Sequence, residues 1–211
     1  MNNQPPTYLS IDLDYWKVFP EQFINKIVRL NVPTAVAIEH HHLLPHVNKF
    51  TECTRLVNID QHADLCGNLP KDEKVCDGTW GCRVSWREKE SSTFVWSYPD
   101  ASSVTGRTNM ESLGWCDNAP EDNPFFSRTP SNLCEWSFVS RRRLPLLTRN
   151  ELNSVVAVGI CISPTFLKDK NVATWTKKIF DLAKKHKFKR YDPKWLWDLK
   201  MSEDRRNENC A

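Results

Sequence analysis

An α/β fold with a largely parallel sheet is predicted by three observations. Short β-branched apolar runs alternate with a segment of helical periodicity early in the chain. Several of those runs end on an acid or a histidine, the placement expected of ligand-binding groups beyond the carboxyl ends of parallel strands. Ser154 to Ile162 (SVVAVGICI) is almost continuously apolar, as befits a strand buried on both faces.

The elements follow in order. Tyr8 to Tyr15 (YLSIDLDY) alternates apolar and polar residues and reads as a strand ending in acids. Pro20 to Leu30 places Phe23, Ile24, Ile27, Val28 and Leu30 at helical spacing, with proline in the tolerated first turn. Thr34 to Ile38 (TAVAI) and Arg55 to Ile59 (RLVNI) are short strands that lead into Glu39 and into Asp60. Thr93 to Tyr98 and Glu135 to Val139 read as further strands, and the Ser-, Asn- and Pro-rich stretch 99–133 between them as a long loop. Asn171 to Lys185 is a helix with Trp175, Ile179, Leu182 and Ala183 on one face and lysines on the other. The last dozen residues are charged and expected to fray.

Composition narrows the function classes. The 211 residues are 40% hydrophobic, enough for one core, and no linker or repeat divides them, so a single domain over 1–211 is expected. With 29 basic against 26 acidic residues, the balance gives no reason to expect a nucleic-acid partner. No apolar run approaches the ~20 residues of a membrane span, and Met1 to Thr7 lacks the order of a secretion signal. Eight cysteines are scattered without a C-x-x-C pair, so reduced thiols and a cytoplasmic location are expected; the spacing of Cys76 and Cys82 does not suit a zinc knuckle. Trp80, Trp86 and Trp96 read as core, and Arg141 to Arg143 as a solvated basic face.

The histidines stand apart, because five of six (His40, His41, His42, His46 and His62) fall between residues 40 and 62. In extended backbone, residues two apart share a face, so Asp60, His62 and Asp64 project together, as do Asp12 and Asp14, and as do Glu39 and His41. Gathered at one sheet edge, such carboxylates would repel one another unless a cation joined them. Carboxylate and imidazole ligands suit manganese, with zinc or iron as competitors, and six or seven of them are enough for two ions.

The segment Asn58-Ile59-Asp60-Gln61-His62-Ala63-Asp64 resembles the D-A-H-A-D motif of the ureohydrolases, the family of arginase and agmatinase. Ser10-Ile11-Asp12-Leu13-Asp14 is similar to their S-F-D-V-D motif, and Ile38 to Leu44 (IEHHHLL) to the strand end that supplies one more histidine. The S-x-D-x-D element comes first here rather than late, which brings the chain nearest to the small peptide arginases of ribosomal-peptide biosynthesis; residues 70–211 add little to the likeness.

What the resemblance implies is a three-layer α/β/α domain of the arginase/deacetylase kind holding two manganese ions. Asp60 and Asp12 would bridge them. His41, preferred to His40 for its parity with Glu39, and Asp64 would complete one coordination sphere; His62 and Asp14 would complete the other. Glu39 would hold the guanidinium, with bidentate pairing as the physical reason, and Asp64 would relay a proton to the leaving amine. The family's proton-shuttling histidine has no counterpart after His62 before His186, leaving His46 as a substitute. After Asp64 the chain reads Leu65-Cys66-Gly67-Asn68, without the polar pair that grips a free amino acid. The implied substrate is therefore an arginine-containing precursor peptide, converted to ornithine with release of urea. A homo-oligomer stays open. Two rivals stand beside this expectation: a one-zinc deacetylase-like amide hydrolase using Asp60, His62 and Asp12, and a metal-stabilised peptide-binding protein without catalysis.

Overall fold

The computed structural model describes residues 4–60, 64, 75, 80–81, 83–86, 92–98, 137–142 and 147–202. Seven strands form one sheet in the order β5-β4-β3-β1-β6-β2-β7. They are β1 (Thr7–Asp12), β2 (Thr34–Ala37), β3 (Arg55–Ile59), β4 (Thr93–Tyr98), β5 (Ser137–Arg142), β6 (Val155–Cys161) and β7 (Lys189–Arg190), and every neighbouring pair runs parallel. Among the described residues the helices are α1 (Glu21–Val28), α2 (Leu44–Val47), α3 (Arg149–Ser154), α4 (Asp169–His186) and α5 (Lys194–Ser202). Turns of 3-10 helix cover Leu13–Tyr15 and His40–Leu43. None of the described helices is long and apolar enough to cross a membrane.

The two-residue period of each strand divides the interior into two cores, one on each face of the sheet. Leu9, Ile11, Val57, Ile59, Val95, Val158 and Ile160 pack with Ile24 and Ile27 of α1, Trp175 and Ile179 of α4 and Trp197 of α5. Their neighbours Tyr8, Leu56, Phe94 and Ala157 face the other way, onto Val47, Cys53, Trp80, Val84 and Trp86. Layers on both faces of a parallel sheet make the predicted three-layer α/β arrangement, with β1 at its centre between β3 and β6. Helix α4 is held by its apolar stripe, and burying Trp175 and Ile179 is worth about 1.5–3 kcal/mol each.

Three differences from the expected elements have physical reasons. Strand β7 is a two-residue edge of Lys189 and Arg190, whose exposed charges deter further pairing and carry no strand pattern. Helix α3 begins in a capping box between Thr148 and Glu151, a T-x-x-E signal present in the chain. Helix α5 occupies Lys194–Ser202, reaching into the stretch expected to fray. Of the long loop 99–133 and the basic run 141–143, only Arg141 and Arg142 lie within the described residues, in β5.

Toward the carboxyl ends, the second face becomes small or polar: Ser10 and Asp12 on β1, Asn58 on β3, Gly159 and Cys161 on β6, Ala35 and Ala37 on β2 are all buried or space-giving there. That leaves room for imidazoles. Tyr8 and His46 Nδ1 are hydrogen-bonded at 2.8 Å. Burial holds the Tyr8 hydroxyl well above its usual pKa, so it donates; burial, then Lys49 and Lys189, lower His46 to about 4, so its ring is neutral and accepts. A Cβ on Gly159 would stand 2.6 Å from the Tyr8 hydroxyl oxygen and 2.9 Å from Leu43 Cδ1.

Two predictions follow from this pair. Gly159→Ala should push the Tyr8 hydroxyl off His46 and cost about 1–3 kcal/mol of stability, the range for overpacking a core; urea unfolding checks it, and an unchanged midpoint would show that the tyrosine yields freely. His46, neutral in the fold and ordinary at 6.5 when unfolded, gives stability that is complete above pH 6.5. That stability falls as the unfolded chain takes up the proton, and is gone below about pH 4. The total is at most about 3 kcal/mol. The stability gap between the wild type and His46→Gln should therefore shrink from pH 7 to pH 4; a constant gap would mean that His46 titrates normally.

Candidate metal centre

The sheet topology brings β3, β1, β6 and β2 side by side, so that Asp60, Asp12, Cys161 and the turn after β2 share one edge. Register sets their level, since Asp12 is paired with Cys161 and Cys161 with Ala37. Past β2, Glu39 is still extended, but His40 to Leu43 wind into a 3-10 turn that carries His40 inward over the small residues below.

His40 is the hub. Its Nε2 is 2.6 Å from Ser10 Oγ, while Nδ1 lies 2.9 Å from Asp64 Oδ2, 3.1 Å from Asp60 Oδ2 and 3.3 Å from Asp12 Oδ2. Nδ1 is wholly buried and makes no hydrogen bond to any of them. A ring nitrogen aimed among three carboxylate oxygens without hydrogen-bond geometry is placed as a ligand is placed, with Ser10 fixing the tautomer from the far side.

The carboxylates are held from outside. Asp12 accepts from the Ser163 hydroxyl and, at 3.1 Å, from the Asp14 backbone N–H. Asp60 accepts from Asn58 Nδ2 at 3.2 Å, and Asp64 from Trp80 Nε1 at 2.6 Å. The Trp80 ring also packs on the His40 ring, with centroids 4.5 Å apart. Asp64 and Ser163 adopt positive φ of 57° and 46°, a conformation non-glycine residues rarely hold unless their surroundings impose it.

Among the described residues, three sets of ligand atoms close to within 4.8 Å: Asp12, Asp14 and Asp60; His40, Asp60 and Asp64; and Asp12, His40 and Cys161. All these residues are buried. Two unit charges 4.8 Å apart repel by about 3–4 kcal/mol at an effective dielectric constant of about 20. Four aspartates at one sheet edge, three of them around one imidazole, are therefore tolerable only with protons or a cation among them. Burial, with Asp60 alongside, holds Asp64 well above the usual carboxylate range. Burial works against a charged His40, but Cys161 and the surrounding aspartates outweigh it and keep its pKa well above that of a free imidazole. A cation entering this cluster displaces those protons, and its affinity rises with pH. The buried His/Asp cluster can hold a metal ion, with oxygen and imidazole donors and one thiol at the wall.

Comparisons with family models, with curated proteins and with solved structures return no match. The site thus stands on its own geometry.

The structure gathers Asp12, Asp14, Asp60 and Asp64, as the spacing suggested. The histidine it brings to them is His40, whereas His41, the expected ligand, is in none of the three sets. Two-residue parity ends at Glu39, where the 3-10 turn rotates successive side chains by about a third of a turn, so His41 lies half-buried against the His42 ring, at 4.1 Å, and outside the three ligand sets. His62 lies outside the described residues, as do Leu65 to Asn68 and Cys76 and Cys82. Glu39 is half-buried at the end of β2, two strands from β1 with β6 between them. His46 belongs to the Tyr8 pair and to none of the three sets. Trp80 and Trp86 are core residues as expected, and Trp80 is also part of the site's wall; the Trp96 side chain is outside the described residues. Ser10, Trp80, Cys161 and Ser163 were not among the expected site residues. Ser10 could have been found from its parity with Asp12, and Cys161 and Ser163 from their place where the long apolar run stops.

Metal binding separates the two neighbouring histidines. His40→Ala should abolish tight binding of manganese, Ser10→Ala should weaken it by roughly 10–100-fold, and His41→Ala should leave it unchanged, measured by equilibrium dialysis with metal analysis. Loss of metal from His41→Ala with retention in His40→Ala would reverse the assignment.

Proposed function

We propose that this protein is a binuclear metal hydrolase that removes urea from arginine side chains of a peptide, leaving ornithine. The observation that carries the reading is the His40 Nδ1 atom, buried and without a hydrogen bond among the Asp12, Asp60 and Asp64 oxygens, at the strand ends where three ureohydrolase-like segments meet. Asp12 belongs to two of the three ligand sets, and Asp60 to two, which suits both to bridging. His40, rather than His41, takes the place of the histidine after β2 in this reading. Two divalent cations, manganese in the first instance, would supply a water nucleophile at neutral pH and offset the charge that develops on the attacked carbon's substituents.

The chain's own groups do the remainder. Glu39, at the rim where β2 ends, would pair with the guanidinium and orient it. Remote contacts along a peptide would position a substrate that has no amino-acid clamp to hold it. A one-metal amide hydrolase is the second reading, favoured by the compact His40, Asp60 and Asp64 set; metal stoichiometry separates the two.

The test is to load the full chain with manganese and weigh arginine-containing peptides after incubation. The exchange of water for urea should lower the mass by ~42 Da per arginine, the bond arithmetic of this hydrolysis. Asp12→Ala and Asp60→Ala should lose metal and turnover together. Glu39→Gln should retain both metals and lose turnover by about 2–4 kcal/mol of transition-state stabilisation. Longer arginine peptides should surpass free arginine in kcat/KM. Equal or better use of free arginine would make this a small-molecule enzyme, and an unchanged peptide mass with metal bound would remove the hydrolase reading.

A further inference from the structure

Strand β6, between β1 and β2, ends in a thiol. Cys161 is fully buried, level with Asp12 on one side and Ala37 on the other. Its sulfur, a ring nitrogen of His40 and a carboxylate oxygen of Asp12 lie within 4.8 Å of one another. The sulfur also lies 3.5 Å from Ser163 Oγ, and that hydroxyl is directed to Asp12. The buried His40 Nδ1, which makes no hydrogen bond, is a separate sign that this cluster is shaped for a cation rather than for a neutral thiol alone.

The three ligand sets are therefore unlike in chemistry. Asp12, Asp14 and Asp60 offer oxygen only, whereas Asp12, His40 and Cys161 offer oxygen, nitrogen and sulfur, with Asp12 common to both. Oxygen-only positions suit hard ions such as manganese, while a sulfur donor draws thiophilic ones such as zinc.

We propose that Cys161 is a metal ligand, and that the position it shares with Asp12 and His40 takes a thiophilic dication while the Asp12, Asp14 and Asp60 position takes a hard one. The proposal rests on the metal-centre reading above and deepens it, making the centre mixed rather than uniform. On binding, the Sγ–H bond breaks, the proton leaves to solvent, and the sulfur lone pair forms the bond to the metal. No electrons are transferred.

Cobalt(II) titrated into the full chain is the probe. The wild type should develop a thiolate-to-cobalt charge-transfer band in the near ultraviolet. Cys161→Ser should lose that band while still binding cobalt, and Cys53→Ser, which alters the other described free thiol, should keep it. In competition, Cys161→Ser should lower the preference for zinc over manganese by about tenfold or more, because it removes the donor that favours a thiophilic ion. A band that survives Cys161→Ser overturns the proposal. If Cys161→Ser does not fold, X-ray absorption of the wild type with one equivalent of zinc decides. A sulfur at ~2.3 Å beside nitrogen and oxygen supports the proposal, and a shell of nitrogen and oxygen alone overturns it. In that last case the metal centre itself stands. A wild-type chain that binds no divalent metal removes both.

Discussion

Four aspartates buried at one sheet edge, three of them around one imidazole, set the terms for the rest of the molecule. Asp12, Asp14, Asp60 and Asp64 would each prefer water, and a sheet edge that hides them must supply positive charge, protons or oriented donors in return. The donors are visible: Ser163 and the Asp14 N–H on Asp12, Asn58 on Asp60, Trp80 on Asp64. Each is itself buried, so the acids are oriented by groups that have nowhere else to go. Charge is not supplied by those contacts, which is why a cation is the natural completion.

The parallel sheet makes the crowding possible. With every strand pointing the same way, the last residues of β3, β1, β6 and β2 arrive at one edge although they are distant in sequence. Small side chains on the same face then leave room at that edge, Gly159 for the Tyr8 hydroxyl and Leu43, and Ala35 and Ala37 for Leu43 and Cys161. Bulk is placed lower on that face, in Tyr8, Leu56 and Phe94, where the core needs it. The gradient from large to small along the strands is thus the steric counterpart of the electrostatic one.

Much of this was legible in the chain, and the limits are physical. Strands β1, β2, β3 and β6 are dense in β-branched residues, and α4 carries a long amphipathic stripe, so their signals accumulate over many positions. Strand β7 is two charged residues long and exists only because β2 offers it an edge. The aspartates declared themselves by spacing. The histidine did not, because the choice between His40 and His41 turns on where extended backbone gives way to a 3-10 turn, a boundary decided by packing against Ser10 and Trp80. Cys161 and Ser163 looked like the tail of an apolar run; their role appears only when β6 is seen to lie between β1 and β2.

The terminal strand and helix have a consequence of another kind. Asp192, just beyond β7, accepts at 2.6 Å from the backbone N–H of Ile38 and pairs with His42 Nδ1, gripping the turn that carries His40 from both sides. The residues that shape the centre's histidine turn are therefore closed by a latch at Asp192, one that a growing polypeptide cannot fasten until it has been made past β7. Assembly of the site is in this way tied to completion of the sheet, so a nascent or clipped chain would carry its acids without the geometry that makes them safe to bury.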